Sequence, residues 1–159
     1  MKKLTGAPLA MHYSERDRIE KPLKVMPPGA TMWGKVFGAF LNAAVVPSVH
    51  LEAATVDVEI GDQGMSLQTY GINGKVIHTP GHSPGSLTIL LASGDALVGD
   101  VAMNLFPLRF GPGLPIFAED VSLLKGSIEH LLSLGATTIH PAHGAAFSAA
   151  VLKKAVARL

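Results

Sequence analysis

Residues 76–102 constrain this chain more than any other stretch. They read Val-Ile-His-Thr-Pro-Gly-His-Ser-Pro-Gly-Ser-Leu-Thr-Ile-Leu-Leu-Ala-Ser-Gly-Asp-Ala-Leu-Val-Gly-Asp-Val-Ala. An apolar run ends in a Pro/Gly turn carrying His82, a second apolar run follows, and a short third run, 96–98, delivers Gly99 and Asp100. The pattern predicts strand, loop with an imidazole, strand, turn, strand, loop with a carboxylate. Strands hold the ends of neighbouring loops rigidly while the loops stay open, a placement that suits metal chemistry.

Composition narrows the chemistry further. At 159 residues the chain is expected to form one domain, 1–159. A formal net charge of +1 gives no electrostatic footprint for nucleic acid and leaves small molecules, metals or protein partners. Without cysteine, any transition metal must be held by imidazole and carboxylate. Hydrophobic residues make up 48% and charged residues only 16%, against about 25% charged in average usage, so some apolar surface is expected to need a partner. Residues 2–8 are too short and broken for an apolar leader, and the cytoplasm is the expected location.

Taken in order, residues 1–4 read as the tail of a helix with Gly6 ending it, and 7–11 as a short buried strand followed by His12, expected to be a loop-edge histidine. The charged segment 14–24 reads as a solvated turn or short helix. In 30–46, Trp33, Val36, Phe37, Phe40 and Leu41 follow the i, i+3, i+4, i+7, i+8 pattern, predicting a helix with one apolar face. It is expected either to roof a pocket mouth or to be an ordinary core helix. The run is too short and interrupted to span a membrane, although its stripe allows a peripheral contact with lipid. Residues 56–60 alternate as a half-buried strand, and 65–70 are expected to return as the second arm of a hairpin. After Asp100 comes an irregular Pro/Gly passage, 104–115, containing Arg109. Asp120 is a good N-cap for a helix over 121–134. A strand at 137–139 delivers His140 and His143, and a helix closes the chain over 149–159. His82, Asp100 and His143 thus each follow a strand in a Gly-flanked loop and are expected to share a site for a divalent ion.

The run Thr79-Pro80-Gly81-His82-Ser83-Pro84-Gly85-Ser86, then Gly99-Asp100, then helix, strand and His143-Gly144, resembles the C-terminal half of the metallo-β-lactamase fold superfamily, in particular its glyoxalase II-like hydrolases. The resemblance implies an α+β fold, part of a four-layer αββα sandwich with an incomplete N-terminal half, in which 30–47 is an inserted apolar helical segment. It implies a metal-dependent hydrolase of ester, thioester or lactam-type substrates, with zinc, iron or manganese at partial occupancy. His82 would ligate the first metal, Asp100 would bridge both and serve catalysis, and His143 would ligate the second. The family's H-x-H-x-D-H motif is absent, since no H-x-H occurs in the sequence. The chain is therefore expected to begin just after that motif and, by itself, to be weakly active or inactive. His12, His50, His78 and His130 lack the motif's spacing and neighbouring aspartate; His78 and His140 lie close enough to the retained ligands to substitute for one. As a hydrolase the chain would draw its remaining ligands from a partner chain or complementing N-terminal half; the alternative expectation is a non-catalytic half-domain that acts as a scaffold or interaction module, covering its bare face by forming a homo-oligomer, a dimer above all.

Overall fold

Six strands form the main sheet of the computed structural model, which describes residues 2–106 and 108–159, without the side chains of Lys2 and Lys3. They are β3 (Met65–Ser66), β4 (Gly74–His78), β5 (Leu87–Leu91), β6 (Asp95–Gly99), β7 (Thr138–Pro141) and β8 (Phe147–Ser148), hydrogen-bonded in that order. Pairing is antiparallel except between β6 and β7, which run parallel because helix α4 (Val121–Ser133) lies in the crossover between them. Period-two alternation sorts the side chains. Ile77, Leu90, Val98 and Ile139 face a core completed by Leu124, Ile128 and Leu131 of α4 and by Leu152 and Val156 of helix α5 (Ala149–Val156). Val76 points to a smaller cluster with Ile60 and Leu67, against which Leu87 and Ile89 pack.

The N-terminal part is less regular. Helix α1 (Lys2–Thr5) ends at Gly6, whose φ of +68° is the left-handed geometry of a C-terminal cap; Met1 of the expected helix lies outside the described residues. Strand β1 is confined to Ala10–His12 and pairs in parallel with β2 (Val58–Ile60) as a separate two-stranded sheet. This corrects the expected hairpin: 56–60 and 65–70 do not pair with each other. Instead β3 pairs with β4, and Gln68–Tyr70 coil into a 3-10 turn. The charged segment forms α2 (Arg16–Glu20), as its composition predicts.

Residues 30–46 also differ from expectation. Helix α3 (Met32–Phe40) gives way to a π-turn over Leu41–Val45 and a 3-10 turn over Val46–Ser48. Its packing face is Gly34, Phe37, Gly38 and Leu41, one position round from the predicted stripe, while Met32, Trp33, Val36 and Phe40 stay exposed. The cause is close backbone approach: a Cβ on Gly34 would lie 2.1 Å from the Ile116 carbonyl oxygen, so the glycines, not the large side chains, set the face that docks. Among the described residues no helix is long and apolar enough to cross a membrane.

The loop 79–86 is wedged against α4. Gly81 has φ +134°, and a Cβ there would sit 2.3 Å from the Leu124 backbone nitrogen. Gly81→Ala is expected to lower the free energy of unfolding by at least about 2 kcal/mol, from backbone strain plus overpacking, as read by urea denaturation. A loss below about 0.5 kcal/mol, the scale of a neutral surface change, would show that the loop is not clamped.

Candidate metal centre

His82 is held by backbone on three sides. Its carbonyl accepts from Glu119 N–H at 3.2 Å, the preceding Gly81 carbonyl accepts from Asp120 N–H at 2.9 Å, and the His82 Nδ1–H donates to the Phe117 carbonyl at 2.9 Å. A proton placed on Nδ1 by that carbonyl leaves Nε2 with its lone pair, which points toward Asp100 Oδ2 at 3.9 Å. Asp100 follows β6 directly. His143 follows β7, and the parallel β6–β7 pair carries both to one end of the sheet. Two further bonds lock the loops together: Ala142 N–H donates to the Gly99 carbonyl, and Asn104 N–H donates to the His143 carbonyl. His143 Nε2 then lies 3.4 Å from Asp100 Oδ1.

The structure therefore brings His82, Asp100 and His143 together, with a different carboxylate oxygen turned to each imidazole. Asp100 Oδ1 is buried and accepts no hydrogen bond, an arrangement that proteins usually avoid because an unpaired buried acceptor is costly. Two imidazoles and a carboxylate with such an orphaned oxygen fit a borderline divalent cation. A cavity of about 420 Å³ opens beside His82 and Asp100. Met11, Leu87 and Val98 give it apolar walls, while Glu15 and Arg18 stand on its polar side. Arg18 is engaged by Glu15 at 3.4 Å and Glu119 at 2.9 Å. Val25, Pro27 and Leu51, which flank the α3 segment, line this cavity; no residue of 30–46 does, so that segment does not roof it. Arg109 is not at this cavity either. It donates to the Leu114 carbonyl and lines a separate hollow near Leu159. Pro107 of the same passage lies outside the described residues.

Sequence reasoning missed a second group. His12, expected at a loop edge, is 1% exposed and stacks on His78 with ring centroids 4.0 Å apart. Asp62 Oδ1 lies 3.1 Å from His12 Nε2 and 3.5 Å from His78 Nδ1. Burial, and then the neighbouring His78, hold the His12 pKa below the ordinary histidine value, against the opposing pull of Asp62. Among the described residues this is the group in which three such donor atoms all lie within 4.8 Å of one another. The missed signal is the one that singled out the other ligands: each of these residues ends or closely follows a strand. His140 instead bonds to Asp95 at 2.8 Å; that bond, after the stronger one from Ser93, holds the Asp95 carboxyl below its usual range.

No protein-family model matches the sequence. Solved structures share the fold. An archaeal metallo-β-lactamase superfamily protein from Sulfolobus tokodaii superposes with a TM-score of 0.66 at 17% identity, over 98% of this chain and 59% of that one. The B3 metallo-β-lactamase BLEG-1 gives 0.63 at 19%, over 94% and 63%. TTHA1623, solved in a di-iron-bound form, gives 0.52 at 24%, over 99% and 68%. The chain thus has the α+β metallo-β-lactamase fold, and it spans only about 60% of the length of the first two structures.

Because Asp100 Oδ1 is unbonded, replacing the carboxylate with an amide removes a strained acceptor without breaking a hydrogen bond. In chelator, Asp100→Asn is expected to leave unfolding stability unchanged or raised by up to about 1 kcal/mol. A loss above about 1 kcal/mol in urea denaturation would show that the carboxylate is structurally bonded.

Proposed function

We propose that this chain supplies part of the active centre of a metal-dependent hydrolase acting on an ester, thioester or lactam-type substrate. The carrying observation is the Asp100 carboxylate set between two imidazoles, one oxygen toward each and Oδ1 otherwise unbonded. His82 would hold one metal position, His143 a second, and Asp100 both, with zinc, iron or manganese as the suited ions. When bound, such ions lower the pKa of water and polarise a carbonyl oxygen. The chain's own residues prepare the place. Phe117 fixes the His82 tautomer, and the apolar walls of the cavity can seat an acyl group beside Asp100. Arg18 is already committed to two carboxylates and offers the substrate no unpaired cation.

Three ligands satisfy two metal positions only in part, and no H-x-H pair is present to add more. Metal content of the purified chain is therefore expected to fall below two ions per chain, with slow turnover of simple esters and lactams. His82→Ala is expected to weaken metal binding at the Asp100 centre at least about tenfold. Elemental analysis alongside a hydrolysis assay decides this. Equal metal in variant and wild type would remove His82 from the site.

A second reading, a self-associating scaffold in the cytoplasm, is favoured by a different observation. Met32, Trp33, Val36 and Phe40 are exposed together along α3, and Phe106 and Phe110 form an exposed edge-to-face pair. Light scattering is expected to give a dimer mass under this reading, through pairing of like faces; a monodisperse monomer would count against it. Under the hydrolase reading instead, a complementing partner carrying the missing ligands would restore turnover when mixed with this chain.

A further inference from the structure

We infer that His12, Asp62 and His78 form a second divalent-cation site, separate from Asp100, that joins the two sheets. His12 ends β1 of the small sheet, Asp62 lies in the turn after β2, and His78 ends β4 of the large sheet. The hydrogen-bond chemistry singles out His78. Its Nε2 lies 2.7 Å from the Pro84 carbonyl, which can only accept, so the ring proton belongs on Nε2. A neutral His78 then turns the bare lone pair of Nδ1 toward the Asp62 carboxylate oxygen at 3.5 Å. The same Asp62 Oδ1 lies 3.1 Å from His12 Nε2, so one carboxylate oxygen is shared by the two imidazoles. A cation there would take the His78 Nδ1 lone pair and the Asp62 oxygen as two of its ligands.

His12 is suited to the same role. Its Nδ1 accepts from the Ser14 N–H at 3.4 Å, with Ser14 Oγ 2.8 Å away, and its Nε2–H donates to Asp62 Oδ1 at 3.1 Å, so a cation would displace the Nε2 proton. Zinc–ligand bonds of about 2.0–2.1 Å in a tetrahedron put neighbouring ligand atoms about 3.3–3.4 Å apart. The observed separations from Asp62 Oδ1, 3.1 and 3.5 Å, bracket that value. Two imidazoles and one carboxylate choose zinc or a similar borderline ion over calcium or magnesium. The side chain of Asp62 is 66% exposed, which gives an entry path and room for water as a fourth ligand. Its effect would reach the other centre through structure alone: His78 holds the Pro84 carbonyl, and Pro84 lies in the loop that carries His82. The site stands on its own residues and does not depend on the hydrolase reading.

The test uses the full chain, stripped of metal and then dialysed against buffered zinc near neutral pH, as wild type, Asp62→Asn and Asp100→Asn. Asp62→Asn keeps an acceptor oxygen for His12 on an exposed turn, so folding is expected to survive; His78→Gln serves as a second variant. Asp62→Asn and His78→Gln are expected to bind about one zinc equivalent fewer than wild type and to lose part of the zinc-dependent rise in melting temperature. Equal zinc uptake by wild type and both variants would overturn the site. Failure of the hydrolase reading shows separately, as equal uptake by wild type and Asp100→Asn.

Discussion

The loop that carries His82 is held by the N-terminal end of helix α4, and the rest of the arrangement depends on that contact. Asp120 acts twice: its side chain accepts from Leu123 N–H to cap the helix, and its own N–H donates to the Gly81 carbonyl. Ser127, about two helical turns further on, donates from its hydroxyl to the Pro80 carbonyl. The opposite side of the loop is tied to β5 by the Thr79–Thr88 hydroxyl pair and by the Thr79 N–H to Ser86 carbonyl bond. Gly81 is required because its backbone is both left-handed and in contact with Leu124. Core residues on the same helix, Leu124, Ile128 and Leu131, are fully buried, so the position of His82 is set by the packing of the main core.

Asp100 and His143 are placed by different means. Parallel pairing of β6 with β7 aligns their ends, and the bonds from Ala142 to Gly99 and from Asn104 to His143 close the two loops on each other. Gly144 permits the closure, since a Cβ there would collide with the Asn104 carbonyl. The scaffold thus holds a carboxylate with one oxygen buried and unbonded. Folding alone gains nothing from that oxygen; a cation would.

Much of this was legible in the sequence because it is local. The Pro/Gly-flanked His82 loop, the Asp120 cap and the Gly135 stop of α4 each follow from a few adjacent residues, and the structure has all three. Long-range pairing was not legible. Alternation over 56–60 announces a strand but not its partner, and β2 chose β1 in parallel over the nearer β3. The packing face of α3 differs from its apolar stripe because buried glycines carry no hydropathy signal, though Gly34 is what allows approach to Ile116 and Gly38 the approach to Phe117. His12 ends a strand as the other candidates do, but its partners lie about 50 and 66 residues away, so nothing near it in the sequence shows what it meets.

The hydrolytic chemistry proposed for this chain depends on the Asp100 carboxylate taking a metal between His82 and His143. Crystals grown with zinc and measured at its absorption edge test this directly through anomalous scattering. The structure predicts a zinc peak about 2.0–2.2 Å from an Asp100 carboxylate oxygen, adjacent to His82 or His143. Anomalous peaks confined to other places, with Asp100 free of metal at saturating zinc, would contradict it.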